Sequence, residues 1–380
     1  VTGRRWGNYT SRLEIGVDVF FVISGFLLYR PFVAAHFEGG PAVDPKKFLV
    51  RRLKRIVPAY WAAFLIISYV MHADVVRHAW YAPFIYLGFA QIYIPYYVVT
   101  GVTQAWSLCT EITFYLALPF YAALLARRRR SPSDQLRAEL TGLAALVVVG
   151  LVYRIPVLMG HSGIARAMPI WLPGYFDVFA LGMLLAVVST WLAHEDRRPA
   201  WLWHPVMPYV SWALAAAAFV VVSNIGLPRI PVVNLTLAQS LPRQTLFGLF
   251  GFFMVAPAVF GNQNRGLIRR GLALRPVAAI GTVSYGIYLW HQAWIHMFLT
   301  WTGDRIFTFP VMDMVAAAVP LTIASATLSY VLVEKPILSG VSPVAELRRR
   351  MAGVHVLSSG RRSSAVQAAP AVQAAQAAGQ

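Results

Sequence analysis

A chain that repeatedly presents about twenty consecutive apolar residues has few folding options, because each such run is long enough to cross the hydrocarbon of a bilayer. Inside that hydrocarbon the backbone must satisfy its own hydrogen bonds, and runs of this length do so as helices. Nine runs meet the condition, at 15–33, 56–71, 104–126, 140–159, 171–193, 207–226, 243–261, 276–300 and 310–333. The second is the shortest and borrows Leu53. A composition of 58% hydrophobic and 13% charged residues over 380 positions excludes an ordinary soluble domain. The expected fold is therefore an all-α polytopic membrane protein. The lone Cys109 falls inside the third run and reads as a packing residue.

The formal net charge of +18 would suggest a nucleic-acid partner in a soluble protein. Here the basic residues lie between the apolar runs, which is the pattern of cytoplasmic loops beside anionic lipid, and no nucleic-acid partner is expected. Segments 34–55, 127–139, 194–206, 262–275 and 334–380 hold 23 of the 33 Lys and Arg residues, and the alternate loops hold 8. The first set, with the C-terminus, is assigned to the cytoplasm. Residues 81–97 imitate a tenth span, but counting them would place Arg127 to Arg130 outside, and Pro83, Gly88 and Pro95 interrupt the run. They read as a re-entrant or interfacial segment lining the outer mouth. Nine crossings leave Val1 outside, so a tenth helix upstream is expected in the intact protein. Residues 1–14 then form an outer-side loop and 15–336 the membrane domain. Residues 337–380, rich in Ala, Gln and Ser, form a largely disordered cytoplasmic tail.

The third run holds the strongest site candidate. An acidic side chain at the centre of a spanning helix costs roughly 3 kcal/mol on insertion scales, so Glu111 should face a bundle interior or a wet cavity. Ser107 lies one turn away on the same face, with Trp106 and Tyr115 beside the pair. In Arg51-Arg52-Leu53-Lys54-Arg55-Ile56-Val57-Pro58, Arg52 and Arg55 share a helix face and offer planar donor forks to phosphate oxygens; the alternative is a charge block that only sets topology. Asp18 is either a solvated helix-start residue or part of a cavity, and Ser24-Gly25 fits close helix packing. His291 reads either as a proton relay or as a buried imidazole bonded to a neighbouring helix. Arg154 and Asp177 read as paired charges inside the bundle. No metal-ligand spacing, glycine-rich nucleotide loop or Gly-x-Ser-x-Gly elbow occurs.

Five stretches then occur in a recognisable order: Gly16-Val17-Asp18-Val19-Phe20-Phe21-Val22-Ile23-Ser24-Gly25-Phe26-Leu27, Arg52-Leu53-Lys54-Arg55-Ile56-Val57-Pro58, Trp106-Ser107-Leu108-Cys109-Thr110-Glu111, Ser284-Tyr285-Gly286-Ile287-Tyr288-Leu289-Trp290-His291, and Glu334-Lys335-Pro336. Together they resemble the bacterial acyltransferase family 3 of integral membrane O-acyltransferases. The resemblance implies a ten-helix enzyme of the bacterial inner membrane. Such an enzyme takes an acyl group, often acetyl, from a cytoplasmic acyl-CoA to a hydroxyl of an envelope glycan or glycolipid, without a metal. It implies catalytic roles for Glu111 and Ser107 and donor binding by Arg52 and Arg55. Asp18, Ser24, Trp106, Tyr115, Tyr288 and His291 are candidate accessory residues. The family's first helix carries an Arg and a His ten residues apart, the His being the expected base or acyl relay. Nothing before Ile15 matches that pair, and the expectation is that it lies upstream, with Glu111 orienting the imidazole. The competing reading is a transporter or flippase for a lipid-linked sugar, since polar residues inside spans fit either.

Overall fold

The computed structural model describes residues 7–39, 41–73, 79–98, 100–126, 131–159, 168–229, 235–261, 266–303 and 311–339. Arg127 to Arg130 and the tail from 340 onward lie outside the described residues. Nine helices of 18 residues or more run through the described chain. They are α1 (Gly16–Glu38), α2 (Pro45–Leu65), α3 (Trp106–Leu125), α4 (Pro132–Met159) and α5 (Phe176–His194), followed by α6 (Met207–Asn224), α7 (Leu237–Val259), α8 (Arg275–Thr302) and α9 (Val311–Ser329). Each falls on one of the apolar runs. Seven membrane-length segments are apolar enough to cross a membrane; α7 and α8 are not among them. The chain is an all-α polytopic membrane protein.

Local sequence explains where the helices begin. Asp44 caps α2, its Oδ1 accepting from the backbone N–H of Lys46 at 2.9 Å and of Lys47 at 3.2 Å, and Pro45 occupies the first helical position, where its missing N–H costs nothing. The helix therefore starts eleven residues before the apolar run at 56–71, and its first turns carry the whole basic cluster. Thr236 caps α7 in a capping box with Gln239.

The core is the seam between α1 and α5. A Cβ on Gly25 would collide with the Phe179 carbonyl oxygen, and one on Gly182 with the Val22 carbonyl oxygen, so the two backbones touch. Close approach through small residues is how helices associate where no hydrophobic force distinguishes protein from lipid. Phe21, Phe114, Phe179 and Tyr175 fill the space beside the seam, with Phe114 stacked on Phe179 at 4.0 Å. Helix α7 packs on both α1 and α5, α4 on α5, α6 on α7, and α8 on α9.

Residues 79–98 do not form a span. They fold as a short helix (Ala82–Leu87), a 3-10 turn (Gln91–Tyr93) and tight turns. Their backbone carbonyls are satisfied partway along the neighbouring helices: Tyr60 of α2 donates to Tyr86 O at 3.0 Å and Trp61 to Leu87 O at 2.9 Å. The Tyr93 hydroxyl meets Thr113 of α3 at 2.5 Å. Non-helical backbone buried in protein at helix mid-height is what a re-entrant segment requires.

Alternating helix direction gives the bundle two chemically distinct ends. At the basic end stand the start of α2, the end of α1 with His36, and the start of α4 with Glu139, joined by a His36–Glu139 contact of 2.6 Å. At the opposite end Arg243 pairs with Glu14 at 2.6 Å and Arg154 with Asp177 at 2.7 Å.

Candidate active site

Glu111 sits on the buried face of α3, 2% exposed, where α1, α2 and α8 converge. Its Oε1 accepts two hydroxyl donors, Ser24 at 2.8 Å and Tyr115 at 2.6 Å. Its Oε2 is buried and has no hydrogen-bond partner among the described residues. Buried polar atoms are almost always paired, and an acceptor left open beside one that is doubly filled marks a place prepared for a donor. Gly25, next in sequence to Ser24, carries the close packing expected there, while the Ser24 hydroxyl itself belongs to the carboxyl group.

Ser107 and Glu111 share a face of α3, yet they belong to adjacent rather than common networks. The Tyr288 hydroxyl of α8 gives its single hydrogen to the Gln104 carbonyl, so the 2.6 Å contact between Ser107 and Tyr288 has Ser107 as the donor. The Ser107 hydrogen is thereby held and its lone pairs are left to accept. Gln104 also clamps α8, donating through Nε2 to Leu289 O at 2.7 Å. His291 donates from Nδ1 to the Tyr288 carbonyl of its own helix at 2.8 Å, not to a neighbouring helix. Its ring lies 5.9 Å from that of Tyr288.

The basic cluster reaches this centre from α2. Arg55 and Arg52 are the cations whose charge acts on Glu111. Arg52 is half-buried, with its guanidinium 5.8 Å from the Phe48 ring, and Phe48 in turn lies 6.4 Å from Tyr115. Arg51, Lys54 and Arg55 are exposed, and Arg51 donates back to Lys47 O. Of the three arginines Arg52 alone is half-buried. Arg55 acts also on Glu334, a second buried carboxyl whose Oε1 has no partner among the described residues. Glu334 ends the π-helical turn Tyr330–Glu334 that continues α9. Such turns widen a helix locally and re-aim a side chain. Between the two carboxyls Tyr285 donates to Ile56 O at 2.8 Å, fastening α8 to α2.

Toward the opposite end, Asp18 is buried and accepts weakly from Gln244 at 3.4 Å, so it is not a solvated helix-start residue. Trp106 lies half-buried against Tyr175 at 5.7 Å and Phe21 at 6.3 Å. Arg154 and Asp177 pair with each other through two bonds, 3.0 and 2.7 Å. Arg12, buried, donates to the Leu227 and Pro228 carbonyls.

One polar constellation escaped the sequence reading. Glu139, fully buried in α4, accepts from Tyr29 at 2.5 Å, from Gln135 at 2.8 Å and from His36 at 2.6 Å. The available signal was spacing: Tyr29 and His36 are seven residues apart, and Gln135 and Glu139 four, each pair on one helix face. It was hidden because both residues of the His–Glu pair fall just outside the apolar runs. Among the described residues no group of three His, Cys, Asp or Glu is placed to hold a metal ion.

Comparison with known proteins bears on what this geometry does. A protein-family model described as an acyltransferase domain, Acyl_transf_3, matches residues 4–334. The peptidoglycan O-acetyltransferase OatA of Listeria monocytogenes is 25% identical over 342 residues, which are 85% of this chain and 51% of that protein. The chain thus spans about half the length of OatA. Nodulation protein 10 of Rhizobium leguminosarum is 24% identical over 354 residues, 84% of this chain and 81% of that protein. BcsY of Komagataeibacter xylinus, named provisionally as a membrane-bound transacylase, is 28% identical over 343 residues, 84% of this chain and 75% of that protein. No solved structure matches.

Proposed function

Since the chain belongs to the acyltransferase 3 family, we propose that it moves an acyl group, acetyl by preference, from an acyl-CoA at the basic end of the bundle to a hydroxyl of an envelope glycan or glycolipid. The basic end is the cytoplasmic side of the inner membrane in this reading, in line with the excess of Lys and Arg in its loops. The observation that carries the proposal is the buried Glu111 carboxyl, whose Oε1 is held by Ser24 and Tyr115 and whose Oε2 has no partner among the described residues.

The chemistry asks for what these residues offer. Transfer from a thioester to a hydroxyl forms an oxyanion at the acyl carbon, which positioned donors stabilise, while Arg52 and Arg55 offer charge-assisted bonds to the phosphates of the donor. The attacking hydroxyl loses its proton to a positioned base as the ester C–O bond forms; the thioester C–S bond then breaks and coenzyme A leaves as the thiol with that proton. Glu111 serves by orienting and charging that base through Oε2, as a carboxylate orients imidazole in a hydrolytic triad. Ser24 and Tyr115 hold Glu111 in place through its other oxygen. Ser107, with its hydrogen committed to Tyr288, accepts a hydrogen bond from the incoming hydroxyl.

The test is transfer of radiolabelled acetyl from acetyl-CoA into a membrane glycan fraction by the purified intact protein. Labelled glycan that depends on Glu111 supports the reading. Movement of a lipid-linked sugar across a vesicle wall, with no label transferred, would establish the flippase instead.

A further inference from the structure

The buried Glu139 takes no part in the chemistry above, and it orients one imidazole at the basic end. Its Oε2 accepts from the Tyr29 hydroxyl and its Oε1 from the Gln135 amide, so the carboxyl group is acceptor on both sides and the hydrogen shared with His36 belongs to Nδ1. Tyr29 and Gln135 thus hold the carboxylate that fixes Nδ1 of the imidazole. Its Nε2 makes no hydrogen bond to any described residue.

The ring stands at the end of a line of aromatic contacts that leads back to Glu111. Phe32 lies on the same face of α1, between Tyr29 and His36, and its ring is 5.2 Å from that of Phe48. The same Phe48 carries the Arg52 guanidinium at 5.8 Å and contacts Tyr115, whose hydroxyl holds Glu111. One continuous wall thus runs from Glu111 through Tyr115, Phe48 with Arg52, and Phe32 to His36 at the basic end.

The length of that wall matches a particular ligand. Ser24 and His36 are twelve residues apart on one helix, which is about 18 Å at about 1.5 Å per residue. From the sulfur of a coenzyme A thioester to the first phosphorus is about thirteen bonds, roughly 16 Å at about 1.2 Å of advance per bond in an extended chain. A thioester reacting beside Ser24 and Glu111 therefore sets its diphosphate at the level of His36.

We propose that His36, oriented by Glu139, is a phosphate-contacting residue of the donor channel. The imidazolium gives Nδ1–H to Glu139 and Nε2–H to a diphosphate oxygen, while Arg52 approaches the same group from the α2 wall. The ligand class is a nucleotide diphosphate joined to a pantetheine thioester, so the inference rests on the acyl-CoA reading given above.

Equilibrium binding to the intact detergent-solubilised protein separates the two. The probes are coenzyme A and pantetheine, which differ by the phosphates. His36→Asn should weaken coenzyme A by about tenfold or more, the loss of one charge-assisted contact, and leave pantetheine within about twofold. If His36→Asn does not fold, the double variant His36→Leu with Glu139→Leu removes both members and leaves no unpaired buried carboxylate; the same difference is expected. Coenzyme A affinity within about twofold of wild type, or an equal loss for both probes, overturns the assignment of His36. Failure of the wild-type protein to bind coenzyme A at all overturns the acyl-CoA reading and this inference with it.

Discussion

Glutamine at position 111 removes a charge and almost nothing else. The Ser24 and Tyr115 hydroxyls, at 2.8 and 2.6 Å, both donate to Oε1, an atom that a Gln side chain reproduces as its amide oxygen. Folding should change by less than about 1 kcal/mol, the net worth of one neutral hydrogen bond. The amide nitrogen, however, replaces Oε2, the buried oxygen with no partner among the described residues. An acceptor becomes a donor at the position where a base's N–H is to be held, and the negative charge facing Arg55 and Arg52 is gone. Loss of a positioned proton-transfer system costs about a hundredfold in turnover or more, equivalent to about 2.7 kcal/mol of transition-state stabilisation. Glu111→Ala is the control with the opposite signature. It strands two buried hydroxyls at about 1–3 kcal/mol each, and should lower thermal stability by several degrees as well as abolish transfer. The assay is acetyl transfer by the purified intact protein beside thermal unfolding in detergent. Glu111→Gln activity within about threefold of wild type would refute the charge role, since that is below about 1 kcal/mol.

Arg52→Ala and Arg55→Ala should each weaken donor binding about ten- to a hundredfold, from roughly 1.5–3 kcal/mol per charge-assisted contact, with expression intact because Arg51, Lys54, Lys46 and Lys47 remain; unchanged coenzyme A affinity in both returns the cluster to a topological role. A reporter fused after Arg198 should read cytoplasm and one fused near Gly226 the outer side, and the reverse result inverts the assignment of the basic end. Gly182→Val places atoms in the Val22 carbonyl and should cost roughly 3 kcal/mol or the fold itself. Gly248→Ala meets the movable Leu181 Cδ1 at 2.9 Å and Val178 Cγ2 at an ordinary 3.7 Å, and should cost less than about 1 kcal/mol; equal melting temperatures for the two would contradict the backbone contact between α1 and α5.

Hydrophobic run length located all nine long helices, because in a bilayer the apolar stretch and the helix are the same constraint. It located their ends poorly. Helix α2 begins at Pro45, since Asp44 and Pro45 start a helix whatever the polarity of the residues that follow, and the basic cluster was assigned to a loop when it belongs to three helical turns. The same limit hid His36 and Glu139. Pairing across helices was less legible still. The spacing of Ser107 and Glu111 puts them on one face of α3, and the partners that reach them across the bundle come from two other helices, Tyr288 on α8 and Ser24 on α1. Periodicity says which residues share a face and nothing about which helix that face will meet. The Arg154 and Asp177 expectation succeeded because two opposite charges at membrane depth leave few other solutions.

How completely each buried carboxyl is paired distinguishes structure from site more sharply than burial does. Glu139 has both oxygens occupied, and Asp177 is held by two bonds from Arg154. These groups have what the interior of a membrane protein demands of a charge, and removing a partner would leave an uncompensated ion at a cost of several kcal/mol. Glu111 and Glu334 each keep a buried oxygen unpartnered among the described residues, and both lie within the field of Arg55. A fold selected for stability alone would have supplied the missing donor, for example by an Asn or Ser one turn away, at a gain of about 1–3 kcal/mol per acceptor. In the reading proposed above, the reacting end of the donor lies among α2, α3 and the π-helical turn after α9, the elements that carry Arg55, Glu111 and Glu334.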